Sequence, residues 1–109
     1  MLKDLNQAAF WYSKAAEQGN TNAQNNLGSM YEKGEGVLKD LNQAAFWYSK
    51  AAEQGDSDGQ YNLGINYGTE NYKMMAYWID KSYYNKDSNA EQKKRAKDIW
   101  EKFELWKYK

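Results

Sequence analysis

The sequence predicts an all-α protein, folded as a solenoid of about six helices arranged in antiparallel pairs. The first observation is a repeat, because Leu2–Gly19 recurs letter for letter at Leu38–Gly55 with a period of 36 residues. Such a period is typical of stacked supersecondary units rather than of a conventional globular domain. The second is the complete absence of proline, which suits helices joined by glycine-containing turns. The third is the spacing of apolar residues by three and four positions, as in Ala23, Leu27 and Tyr31.

Each complete unit is predicted to contain two helices. The first is expected to begin with a capping box, in which Ser or Thr is followed three residues later by Gln or Glu. The capping pairs are Thr21 with Gln24, Ser57 with Gln60, and Ser88 with Glu91. The second helix is expected to start after Asp4 and, one period later, after Asp40. The glycines expected to end helices, because they accept the left-handed conformation, are Gly19, Gly34 and Gly55.

Three tryptophans occupy equivalent positions in successive units: Trp11, Trp47 and Trp78. We expect them to pack in the core rather than to stack on a ligand. A single unit of this kind cannot bury its apolar face alone, so neighbouring units must stack on each other.

The residues from Ala23 to Gly55 read AxxxLGxxYxxGxGVxxDxxxAxxWYxKAAEQG. This pattern resembles the Sel-1-like repeat family, which is related to the tetratricopeptide repeats. The resemblance implies a right-handed superhelix of antiparallel helix pairs that serves as a protein-interaction scaffold. It implies no catalytic residue.

The chain is predicted to form one domain over residues 1–109. Within it, a half unit at 2–19 precedes a complete unit at 20–55. A degenerate unit at 56–86 follows, and a C-terminal capping helix occupies 87–109.

The two ends of the predicted solenoid differ. At the C-terminal end, Glu91–Trp106 is expected to be one long amphipathic helix, with Lys94 and Arg95 at the Leu-Gly positions of the repeat. At the other end, the first helix has no partner before it in the sequence. The apolar residues expected to be partly exposed there are Leu5, Ala8 and Tyr12. We therefore expect either a longer repeat array or self-association through this uncovered N-terminal helix.

Composition argues against several function classes. Histidine and cysteine are both absent, which removes the commonest general base, the commonest metal ligand and any thiolate. No catalytic residue, cofactor or metal site is expected. Basic and acidic residues balance at 15 each, so a nucleic-acid partner is not expected. No apolar run approaches the roughly 18 residues of a membrane span, and no membrane partner is expected.

The candidate binding surface lies on the first helices of the units, opposite their core side. In tetratricopeptide-like stacks this is the concave face, where side chains can bind an extended peptide or a partner helix. The candidate residues are Asn22, Asn25, Ser29, Lys33, Tyr61, Asn62 and Ile65. Tyr61 and Ile65 replace polar residues of the preceding unit, and an aromatic residue beside an aliphatic one can anchor a partner. The alternative is that the shortened third unit or the C-terminal helix covers them.

The sequence therefore predicts a non-catalytic scaffold that binds a partner protein or peptide. A narrower version is a bacterial toxin-immunity or effector-associated binding protein, which no residue selects. Two alternatives belong to other classes. One is a hydrolase-type enzyme, which the missing histidine and cysteine disfavour, and the other is a structural spacer.

Overall fold

The computed structural model describes residues 4–108, which form a row of six α-helices and two short 3₁₀ helices. The α-helices are α1 (Leu5–Glu17), α2 (Thr21–Lys33), α3 (Leu41–Glu53), α4 (Ser57–Tyr67), α5 (Tyr72–Tyr84) and α6 (Ala90–Lys102). The 3₁₀ helices are Gly68–Glu70 and Leu105–Tyr108. The predicted all-helical solenoid is confirmed. Leu2 and Lys3, which begin the predicted half unit, lie outside the described residues.

The helices stack in chain order. Each one packs against the next, and α4 also contacts α2 and α6. Three apolar clusters follow one another along the stack. They are a first cluster of Ala16, Ala23 and Leu27, a second of Ala44, Tyr48, Ala52 and Leu63, and a third of Met75, Ala76, Ile79, Ala96 and Leu105. This distribution is that of a solenoid, in which each unit contacts only its neighbours.

Helices α2, α4 and α6 begin after Asn20, Asp56 and Asn89. Each of these side chains accepts a hydrogen bond from the backbone N–H three residues later, at 2.8–2.9 Å. Only Asn89 completes a capping box, which it forms with Gln92. The predicted caps that are wrong by one residue are Thr21, Ser57 and Ser88. Asn and Asp are N-caps at least as favourable as Ser and Thr, so the adjacent residue takes the role.

The predicted starts of α1 and α3 and the glycines predicted at helix ends are confirmed. Asp4 caps α1 by accepting from the backbone N–H of Gln7, and Asp40 caps α3 in the same way. The glycines at the predicted helix ends all have a left-handed φ: 92° at Gly19, 72° at Gly34 and 87° at Gly55.

A polar contact repeated in each unit fixes how α6 aligns with the earlier helices. The amide nitrogen of Gln24 donates to the Ala16 carbonyl at 3.0 Å, and a residue four positions after the cap does the same in the later units. The corresponding pairs are Gln60 with Ala52 at 3.4 Å, and Lys93 with Tyr83 at 2.5 Å. Helix α6 therefore aligns with α2 and α4 through its cap, Asn89.

This alignment corrects the prediction for the capping helix. Ala96 and Lys97, and not Lys94 and Arg95, stand at the Leu-Gly positions of the repeat. Ala96 is fully buried, as Leu27 is, whereas Lys97 is exposed. The connection before α6 is two residues longer than those before α2 and α4, and this length difference shifted the sequence alignment.

The predicted long helix over Glu91–Trp106 ends early, at Lys102. Glu104 adopts a left-handed φ of 51°, which turns the chain so that Leu105–Tyr108 packs back on α5. Leu105 is thereby fully buried, while Trp106, the last residue of the predicted helix, is 53% exposed. Burying a leucine contributes about 1.5–3 kcal/mol, which offsets the roughly 1–3 kcal/mol that a left-handed non-glycine residue costs.

The three equivalent tryptophans do not share one environment. Trp47 packs against the first cluster and Trp78 against the second, as predicted. Trp11 is 65% exposed, so the predicted core packing is wrong for this residue. No other described helix covers that side of α1. The predicted exposure of Leu5 and Tyr12 is confirmed, at 40% and 37%.

Candidate partner-binding surface

The seven predicted binding residues lie on two neighbouring helices. Asn22, Asn25, Ser29 and Lys33 belong to α2, and Tyr61, Asn62 and Ile65 belong to α4. Because α4 contacts both α2 and α6, the surface beside these residues continues onto α6.

On α2, the predicted residues differ in how free they are to bind. Asn22 and Lys33 are exposed, near opposite ends of the helix. Asn25 is half-buried, and its Nδ2 donates to Oδ2 of Asp56, the cap of α4, at 2.7 Å. The Oδ1 atom of Asn25 is buried without a hydrogen-bond partner among the described residues. Asn25 therefore joins two units rather than facing a partner.

Ser29 is turned towards α3. The hydroxyl of Tyr48 donates to Oε1 of Glu32 at 2.8 Å, and the Ser29 hydroxyl beside it acts to lower the pKa of Tyr48. Burial raises the pKa of Tyr48 far above its usual value, and the hydrogen bond to Glu32 and the charge of that residue raise it further. Ser29 thus contributes to the contact between helices.

On α4, Tyr61 and Ile65 are half-buried against the third cluster. The guanidinium group of Arg95, on α6, lies over the Tyr61 ring at 5.0 Å from its centre. Burial raises the pKa of Tyr61, and the nearby charge of Arg95 opposes this shift with a smaller effect. Helix α6 therefore covers part of Tyr61, which is the alternative considered for this residue.

Asp58 connects the two helices at this point. Its Oδ1 atom accepts from Nη2 of Arg95 at 3.1 Å and from Nε2 of Gln92 at 2.9 Å. The side chains of Arg95 and Asp58 are 45% and 49% exposed, so a partner can reach both. A guanidinium, a carboxylate and an aromatic ring are thus presented together on one accessible surface.

The seven predicted residues do not include Asp58, Gln92 or Arg95. Arg95 was expected at a Leu-Gly position of the capping helix. With α6 aligned through its cap, Arg95 falls at the position of Asn62 in α4. Asn62 was a predicted site residue, so the correct alignment would have placed Arg95 on the binding face.

This surface offers hydrogen bonding, ion pairing and aromatic contact, which are means of recognition. Among residues 4–108, no group of His, Cys, Asp and Glu side chains is placed to hold a metal ion. Over the same range, every helix is too short or too polar to cross a membrane.

Comparisons with known proteins agree with this architecture. The profile of the Sel1 repeat matches residues 1–20, 21–56 and 57–81. A protective antigen present in uropathogenic Escherichia coli strains, which displays an SLR fold, is 39% identical with a TM-score of 0.73, over 77% of this chain and 19% of that chain. A Sel1 repeat protein from Oxalobacter formigenes is 30% identical with a TM-score of 0.71, over 76% and 25%. The chain thus spans about a fifth to a quarter of the structures it matches. No curated protein matches it.

Proposed function

Because the chain belongs to the Sel1 repeat family, whose members are generally non-catalytic interaction scaffolds, we propose that it binds a partner protein or peptide through the concave face formed by α2, α4 and α6. The observation that carries this proposal is the half-exposed group of Asp58, Tyr61 and Arg95. Arg and Tyr are enriched among the residues that dominate binding energy in protein interfaces.

The chemistry of this group indicates what it can recognise. Arg95 uses one of its five N–H donors on Asp58, which leaves others for a carboxylate or a backbone carbonyl of the partner. Asp58 can accept from a backbone N–H. On α2, Asn22 and Lys33 extend the same face with exposed polar groups. An extended peptide, whose backbone carbonyl and N–H groups are both exposed, can pair with Arg95 and Asp58 in this way.

The experiment compares Arg95→Glu with Lys94→Glu in affinity capture and in titration against the captured partner. Lys94 is a matched control because it is adjacent on α6 and makes an exposed ion pair with Asp98 at 3.2 Å, and because its substitution changes the net charge equally. We expect Lys94→Glu to retain the partner and Arg95→Glu to weaken binding at least tenfold, with circular dichroism showing both folded. Equal binding by the two variants would contradict the proposed surface.

A toxin-immunity or effector-associated role would be one form of this scaffold function, and the identity of the captured partner decides it. Self-association through α1 would use a different surface, because none of the seven candidate residues lies on that helix.

A further inference from the structure

A tryptophan from the following unit packs beside each of the first two helix pairs. Trp47, on α3, packs against the first cluster, which α1 and α2 form. Trp78, on α5, packs against the second cluster, which α3 and α4 form. The same side chain thus joins one pair to the next at two successive steps of the stack.

The corresponding place on the last pair, between α5 and α6, is a cavity of about 230 Å³. Its apolar and aromatic walls include Ile79, Tyr83, Ala96 and Trp100, and the charged residues Asp80, Lys97 and Glu101 also line it. In the alignment through the helix caps, the apolar and aromatic residues stand at the positions of the second-cluster residues Tyr48, Ala52 and Leu63 and of Tyr67, which packs on that cluster. The cavity therefore lies at the position on α5 and α6 that corresponds to the site of Trp78 on α3 and α4, although the residue types differ.

The matching side chain lies at the other end of the molecule. Trp11 stands on α1 at the position of Trp47 on α3, and the two helices have the same sequence. Its ring is 65% exposed and packs edge-on against Phe10 of its own helix, 5.1 Å between ring centres. The α1 end thus presents an exposed tryptophan, and the α5–α6 end has a cavity at the position where a tryptophan packs in the earlier units.

We propose that a second copy of the chain docks end to end, with Trp11 of one copy inserted into the α5–α6 cavity of the next. An apolar cavity of roughly 150 Å³ is known to accommodate a benzene molecule, so a cavity of this size has room for an indole. A second copy fits this place because its α1 has the sequence of α3, and α3 places the equivalent Trp47 against the preceding helix pair in this structure.

Lys97 limits the strength of this contact. It stands at the position of Gly28 and Gly64, which face the ring of Tyr48 and the side chain of Ile79 so closely that an added Cβ would lie 2.7 Å and 3.0 Å away. In the docked pair, Tyr12 meets the Cβ of Lys97 and has to turn aside. The joint is therefore weaker than those within the chain, with a dissociation constant on the order of 100 µM.

The contact joins two different surfaces, so it does not close on itself in a dimer. Each added copy presents a new Trp11 and a new cavity. Heterologous contacts that do not close into a ring produce open chains of copies. The proposal therefore predicts an average mass that rises continuously with concentration and passes that of a dimer.

Sedimentation velocity on the whole chain, from roughly 10 µM to 1 mM, measures this association around the expected dissociation constant. Trp11→Ala is expected to remain monomeric throughout. Trp106→Ala is the control, because that tryptophan is 53% exposed but does not line the cavity. It is expected to associate as the unaltered chain does. If the unaltered chain is a monomer throughout, the proposal is wrong.

Two substitutions at the exposed Lys97 test the cavity itself. Lys97→Gly removes the obstructing Cβ and is expected to tighten association about tenfold, whereas Lys97→Trp fills the cavity and is expected to abolish it. Mixing Trp11→Ala with Lys97→Trp leaves one intact joint, so a 1:1 dimer that grows no further is expected. If Lys97→Trp associates by itself, the α1 faces pair with each other and the end-to-end arrangement is refuted.

Discussion

Helices α1 and α3 have the same 13-residue sequence but different surroundings. Helix α3 lies between α2 and α4, and its Tyr48 is 3% exposed. Helix α1 packs mainly against α2, and its Tyr12 is 37% exposed. Both helices form over the same residues and use the same aspartate cap. The sequence of a repeat therefore determines the helix, while the neighbouring unit determines which of its side chains become core.

The difference can be traced to one side of α2. The ring of Tyr48 lies over Gly28, where a Cβ would approach its Cε1 to 2.7 Å, and its hydroxyl donates to Glu32. Tyr12 has no such seat among the described residues. Substitutions made in parallel in the two helices test this comparison, because each variant in α1 is a control of identical chemistry for its counterpart in α3.

The largest difference is expected between Tyr48→Ala and Tyr12→Ala. Truncating the buried Tyr48 leaves a cavity beside α2 and is expected to lower the free energy of unfolding by about 3–5 kcal/mol. Tyr12→Ala removes a partly exposed ring and is expected to cost less than about 1 kcal/mol. Urea unfolding at low protein concentration measures both. Equal losses would show that burial in α3 is not what distinguishes the copies.

A smaller difference is expected between Trp47→Ala and Trp11→Ala. Trp47 is half-buried against the first cluster, so its truncation is expected to cost about 2–3 kcal/mol, below the full range for a buried tryptophan. Trp11→Ala should leave the midpoint of urea unfolding almost unchanged in a dilute sample, because the Trp11 ring is mainly in water. A large loss with Trp11→Ala in a monomeric sample would contradict the described exposure.

Gly28→Ala tests directly the contact between α2 and the ring of Tyr48. In an exposed helix position this change stabilises by about 1 kcal/mol, but here the added methyl group meets the Tyr48 ring and is expected to destabilise by about 1–2 kcal/mol instead. Asn26→Ala, at an exposed position of the same helix, is the control. In the background of Tyr48→Ala the penalty of Gly28→Ala should disappear, and its persistence there would mean that another contact is responsible.

The smallest effect is expected for Tyr48→Phe, which removes only the hydroxyl bonded to Glu32. A loss of about 1 kcal/mol at neutral pH is expected, and Tyr12→Phe should cost less. Because the folded pKa of Tyr48 is raised, its ionisation in the unfolded chain, at roughly pH 10, favours unfolding. Stability should therefore fall as pH rises above that value, and less steeply in Tyr48→Phe. If stability falls equally with pH in the unaltered chain and in Tyr48→Phe, the fall does not come from the ionisation of Tyr48.

Much of the fold could be predicted because the same helix signals occur in both copies of the repeat. The aspartate caps, the left-handed glycines and the stacking of helices follow from local residue preferences. The alignment of α6 could not be predicted, because its connection is two residues longer and its sequence has lost the Leu-Gly pair. Nor could the turn at Glu104, since it depends on the burial of Leu105 in a cluster that exists only in three dimensions.

The candidate surface stays a prediction from helical spacing. That spacing predicts Tyr61 and Ile65 on the face opposite the core of their unit, but it does not show that both pack against the third cluster. It could not show that Arg95, 37 residues from Asp58, would pair with that carboxylate and lie over Tyr61. Nor could it show that Asn25 would be used in joining α2 to α4. Contacts between units depend on how the helices stack, which the spacing within one helix does not report.

The loop between α2 and α3 has a consequence for how the chain finds its topology. Helix α2 packs against two helices of identical sequence, α1 and α3. The contacts between helices therefore do not determine which copy packs on which side of α2. Only the connections distinguish them: three residues lead from α1 to α2, whereas seven lead from α2 to α3. The longer loop is held by a hydrogen bond from the Asp40 backbone N–H to the Tyr31 carbonyl at 2.9 Å, and at Gly36 a Cβ would lie 2.2 Å from the Leu5 carbonyl oxygen. The loop between α2 and α3 therefore determines which of the two identical helices packs on each side of α2. A loosened loop would permit exchange of the identical helices between molecules.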